Sequence, residues 1–186
     1  MQERENVLRI FKETKEAMAR GDTAKIQSLS NQTTNTASLT QDPDNVAVAV
    51  IVYSLGKIIE RVDYKELSGW NKFYGAYVKS IDGIIDSLEK EDDEAFRENI
   101  GVIRSAISKL SGKLRERIQE VFRKASINKA SRLYEHGISM EKTAKLLGVN
   151  LYDLASYAGE KEGSEVPESR TVGVRSRLKL AEDMFG

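Results

Sequence analysis

Cysteine is absent from the 186 residues of this chain. That excludes disulfides, thiolate metal sites and cysteine nucleophiles, and it fits a reducing interior. Histidine occurs once, as His136, too little for a histidine-built metal centre or a catalytic triad. No apolar run is long enough to cross a bilayer, the longest being Val46 to Tyr53. The opening stretch "MQERENVLRIFKETKE" is charged throughout and does not read as a signal peptide. The expectation is a soluble cytoplasmic protein. An excess of either charge is also missing, with 29 basic and 29 acidic side chains. Such a balance argues against a dedicated electrostatic nucleic-acid binder. There is no phosphate-cradling glycine loop and no nucleophile elbow. The chain is therefore expected not to be an enzyme and to need no cofactor or metal.

The charge that is present is unevenly spread. Nine basic residues stand against three acidic ones from Gly101 to His136, and seven acidic against two basic from Asp86 to Glu98. The first stretch suits a polyanion and the second a basic partner, but exposed faces of amphipathic helices look the same. "EKEDDEAFRE" spans a helix break and reads better as a solvated turn than as a metal site. His136 falls at a helix carboxy terminus before Gly137, where it reads as capping chemistry.

Helical spacing dominates the chain. Val7, Ile10, Phe11 and Met18 share one side of a helix over residues 2 to 20, which Gly21 stops. Asp22 caps a second helix through "TAKIQSLSNQTTNTASLT", a stretch so polar and threonine-rich that helix over its first half alone is the alternative. Within it, "SNQTTNTAS" reads either as a buried hydroxyl and amide network or as a small-molecule site. "VAVAVIV" alternates like a strand. Asp42, Pro43 and Asp44 instead signal a helix start, and Val52, Leu55, Ile58 and Ile59 continue at helical spacing. Trp70, Phe73, Tyr74 and Tyr77 form an aromatic stripe on a helix over 66 to 90, read as core. Asp92 opens the next helix, to about Leu110. Gly112 precedes a long basic helix over 113 to 135 that buries Leu114, Ile118, Val121, Phe122, Ile127 and Leu133.

The expected fold is all-α: a multi-helix bundle followed by a small helix-turn-helix, then a C-terminal amphipathic helix on a flexible linker. The expected divisions are 1–111 for the bundle, 112–159 for the basic helix plus helix-turn-helix, 160–173 for the linker and 174–186 for the last helix. The linker reading rests on "EKEGSEVPESRTVG", where glycine, proline, serine and acids leave no apolar face. Ser139 caps the first short helix of the helix-turn-helix, Ala144 is small where the helices cross, and Gly148 supplies the turn. The second helix exposes Asn150, Tyr152, Asp153 and Ser156. Asparagine can pair with adenine and aspartate can accept from cytosine, but no arginine or lysine stands beside them. Phosphate contacts would fall to Lys142 and Lys145 and to Arg123, Lys124, Lys129 and Arg132. One such unit makes few contacts, so operator DNA would call for a dimer or other homo-oligomer.

"LYEHGISMEKTAKLLGVNLYDLASYAGEKEG" and the arginine-bearing end "RSRLKLAEDMFG" resemble archaeal helix-turn-helix antitoxins or regulators associated with PIN-domain ribonucleases. Tyr152-Asp153-Leu154 stands where tryptophan, glutamate and leucine are common in that group. The resemblance covers the last third of the chain. It implies that an antitoxin-like tail wraps a PIN-domain ribonuclease. Leu178, Ala181 and Phe185 would fill an apolar groove, and Arg170, Arg175 and Arg177 would reach the acidic metal site. The runner-up is a helical adaptor or oligomerisation protein that never meets DNA.

Overall fold

A computed structural model describes the backbone of residues 1–164 and the side chains of 1–159. The described chain is all-α, eight helices and one 3-10 turn with no strand among them. The helices are α1 (Arg4–Arg20), α2 (Thr23–Thr40), α3 (Pro43–Ile59), α4 (Trp70–Glu89), α5 (Asp93–Ser108), α6 (Gly112–Glu135), α7 (Met140–Leu147) and α8 (Leu151–Ser164). No described helix is long and apolar enough to cross a membrane.

The starts follow from caps that satisfy otherwise orphaned amides. Asp22 accepts from the Lys25 amide at 2.9 Å, and Asp42 from Asp44 at 2.8 Å. Asp92 accepts from Glu94 and Ala95 at 3.1 and 2.9 Å. Two other edges differ from expectation. A 3-10 turn over Val62–Glu66 and a left-handed Gly69, φ 88°, delay α4 until Trp70. The α8 helix continues past Gly159 through Ser164, so the first residues read as linker are helical. The rest of the linker and the expected terminal helix, with Arg170, Arg175, Arg177, Leu178, Ala181 and Phe185, lie outside the described residues.

Centrality resolves the conflict over "VAVAVIV". The α3 helix packs against α1, α2, α6 and α7, and buries Val46, Val48, Ala49, Ile51, Val52, Leu55 and Ile58. A helix apolar on all sides is a buried helix, and it shows no clean period of either kind. Its closest neighbour is α2, whose Ile26 side chain packs over Gly56.

The aromatic stripe is core. Trp70, Phe73 and Tyr77 are buried, Tyr74 stacks on Trp70, and the Tyr77 hydroxyl donates to the Ile51 carbonyl at 3.0 Å. The acidic stretch around Asp92 is also occupied. Asp93 receives the Met1 ammonium and Arg4, and these hydrogen bonds hold its carboxyl below the usual carboxylate range.

The main core extends from Val7 and Phe11 on α1 to Leu114, Ile118 and Val121 on α6. A boundary between residues 111 and 112 therefore cuts through packed side chains. The far half of α6 serves two smaller clusters. Leu133 joins Ala37, Val46 and Ala49, while Ala130 joins Ala144 and Leu154.

Candidate functional site

The α7 and α8 helices rest on the second half of α6. Ser139 Oγ accepts the Lys142 amide at 3.3 Å, and the chain leaves α7 through Gly148 at φ 62°. The left-handed conformation favours glycine there. Leu154 and Ala158 of α8 are buried, and the Tyr157 hydroxyl accepts from Asn128 on α6 at 3.2 Å. Thr143 is also buried, and its hydroxyl has no hydrogen-bond partner. Removing an unpartnered buried hydroxyl relieves its desolvation cost. We expect Thr143→Val to raise stability by about 1 kcal/mol in urea unfolding. A clear loss would show that the hydroxyl is bonded in solution.

The outer face of α8 carries Leu151, Tyr152, Asp153 and Ser156, with Tyr152 77% exposed. Asn150 uses its side-chain oxygen to accept the Tyr152 amide at 2.8 Å, so that acceptor is engaged at the start of the helix. Lys142 and Lys145 are exposed on α7, and Lys142 donates to Gln41.

The basic residues of α6 are divided in a way their sequence did not show. Arg123 and Lys124 both pair with Glu120, at 2.9 and 3.3 Å. The hydrogen bond from Arg123, and then that from Lys124, bring the Glu120 carboxyl down to about 2. Arg132 pairs with Glu135 at 3.0 Å. These are i,i+3 and i,i+4 neighbours on one helix, whose charges largely cancel at a distance.

Lys129, expected to contact phosphate, does not belong to that surface. It is only 2% exposed and points into the bundle. Its Nζ donates to Ser30 Oγ and Thr34 Oγ1, both at 2.8 Å, and to the Ser30 carbonyl at 3.2 Å. Nζ also lies 4.7 Å from the centre of the Tyr53 ring. Burial pushes the ammonium down to about 7, and repulsion from Arg132 adds to it. Position 129 continues the i±4 row of Ala125 and Leu133, both buried, and that spacing was the available signal.

The same contacts explain the polar stretch on α2, which is helical through Thr40. Ser30, Thr33, Thr34 and Thr36 are buried. Thr33 and Thr34 return hydrogen bonds to the Ser30 carbonyl at 2.7 and 3.0 Å, and Thr36 to Gln32 at 3.2 Å. Hydroxyls that bond back one turn need no water, and this lets a threonine-rich helix be buried. Of the two readings for "SNQTTNTAS", the buried network describes Ser30, Thr33 and Thr34.

Beside Lys129 lies an open cleft of about 470 Å³ between α2, α3 and α6. Gln27 and Asn31 line one wall, Tyr53 and Lys57 another, and Asn128 and Arg132 the third. Among the described residues no group of histidine, aspartate and glutamate is arranged to hold a metal ion. No family model, no curated protein and no solved structure matches the chain.

Proposed function

We propose that the chain is a non-enzymatic helical regulator of the antitoxin-like kind, one that acts chiefly by binding protein. The observation that carries this reading is the outer face of α8. It offers Leu151, Tyr152 and Asp153 to solvent without a basic side chain. The flanking Arg123, Lys124 and Arg132 each have a carboxylate on their own helix. An exposed tyrosine beside an apolar residue and an acid suits a protein surface better than a phosphate backbone. The resemblance of the last third supplies the partner, a PIN-type ribonuclease. Its acidic metal site would receive Arg170, Arg175 and Arg177, and its groove Leu178, Ala181 and Phe185.

The test compares the full chain with one ending at Ser164, which keeps all of the described α8. Each is immobilised and challenged with host lysate, and retained material is assayed for metal-dependent ribonuclease. A nuclease held and inhibited by the full chain alone is the expected result. Equal retention by both chains, or no nuclease on either, removes the tail mechanism and leaves the adaptor reading. Operator binding by a dimer is a second reading, favoured by exposed Lys142 and Lys145. It requires an affinity for the protein's own upstream DNA that falls steeply with salt.

A further inference from the structure

Lys129 is a buried cation whose hydrogen-bond partners are all neutral. Its three bonds end on Ser30 and Thr34 oxygens, and no described carboxylate pairs with it. A buried ammonium in such surroundings is held at a cost that a nearby anion would remove. Structural lysines inside proteins usually have that anion built in. Lys129 is also one of the residues that line the cleft.

The cleft has the matching chemistry. Two more cations stand on it, Lys57 on α3 and Arg132 on α6. Lys57 is bonded to Glu60 at 2.9 Å, and Arg132 uses one guanidinium nitrogen for Glu135 at 3.0 Å. A guanidinium has five N–H donors, so a fork remains for a second oxyanion. Asn31 and Asn128 add amides to facing walls, and Tyr53 places a hydroxyl-bearing ring between Lys57 and Lys129. Glu60 is the one carboxylate among the residues lining the cleft, against three cations. A volume of about 470 Å³ is in the range of small-ligand sites.

We propose that this cleft binds a small ligand through an oxyanion group, phosphoryl or carboxylate, seated on Arg132 and Asn128 beside Lys129 and supplying the counter-charge that Lys129 lacks. Leu151, Tyr152 and Asp153 of the α8 face do not line the cleft, so the site neither requires nor excludes partner binding there.

Occupation of the site draws a proton onto Lys129, because an anion favours its charged form. The other groups facing it are few. On α3 they are Tyr53, Lys57 and Glu60, on α6 Arg132 and Glu135, and on α8 Tyr157 reaches Asn128. The α2 wall brings only neutral side chains to the cleft. With the ammonium at about 7 when the cleft is empty, binding in mildly alkaline solution takes up protons.

Sulfate and malonate serve as probes, the first for a phosphoryl group and the second for a carboxylate. Each is titrated into the full chain by calorimetry at about pH 8, in two buffers of different ionisation enthalpy. The expected result is millimolar or tighter binding of at least one probe, with a buffer-dependent heat that reports proton uptake. The preferred probe then identifies the oxyanion. Arg132→Gln, an exposed change with little risk to folding, should weaken binding roughly tenfold. Lys129→Met should abolish the buffer dependence and weaken binding as well. Absence of binding by both probes overturns the proposal. So does binding that Lys129→Met leaves unchanged, which places the anion on the outer cations alone.

Discussion

Lys129→Met should make the protein more stable at neutral pH, by about 1–4 kcal/mol in urea unfolding. Loss of a lysine with three hydrogen bonds would ordinarily weaken a fold. Here two of the three acceptors have other bonds to keep, and only Ser30 Oγ loses its partner. The Ser30 carbonyl still receives Thr33 and Thr34 at 2.7 and 3.0 Å, and Thr34 Oγ1 is already spent as that donor. Methionine fills a similar volume with a flexible apolar chain and carries no charge to desolvate. The pH dependence gives the sharper test. Below about 7 the folded and unfolded chains both hold the Lys129 proton, and the gap between variant and parent stays constant. Between about 7 and the ordinary value of 10.5 only the unfolded chain holds it, so the parent gains stability as pH rises. The gap should close across that window. A gap that ignores pH would show that Lys129 already has an anion, and a variant less stable than the parent would show that its three hydrogen bonds outweigh the cost of the buried charge.

The second large effect is expected at Gly56. A Cβ built there would stand 3.1 Å from Ile26 Cγ2, and Ile26 is fully buried. Gly56→Leu should therefore cost about 3 kcal/mol or more, since overpacking forces two central helices apart. Gly56→Ala is the control. Alanine gains about 1 kcal/mol of helix propensity over glycine, which offsets the tight contact and leaves the variant within about 1 kcal/mol of the parent. Urea midpoints for the two variants decide the matter. A leucine variant as stable as the alanine one would mean that α2 and α3 are not locked at this point.

Much of the architecture is legible because helix ends are a local matter. Gly21, Asp22, Asp42 with Pro43, Asp92, Ser139 and Gly148 each act within one turn of their own position, and each stands at a helix boundary. The α4 helix starts later than its spacing predicts because the 3-10 turn before it reads as helix in sequence. What composition hides is burial. The hydroxyls of α2 look solvent-facing until their backward hydrogen bonds are seen, and Lys129 looks like a member of a basic face until α2 is set against it. The cleft is less legible still. Gln27, Tyr53 and Arg132 come from three helices, the last far from the other two in sequence, and no local pattern ties them together.

The α6 helix has 24 residues, which at 1.5 Å each makes a rod of about 36 Å. One end is clamped in the large core through Leu114, Ile118 and Val121. The other end carries α7 and α8 through Ala130 and Leu133. No proline interrupts it, so it has no built-in hinge. Lys129 fastens it to α2 between those ends. The ledge that holds α7 and α8 is therefore tied into the main core by one straight rod, and a load placed on α8 is carried along it to Leu114, Ile118 and Val121.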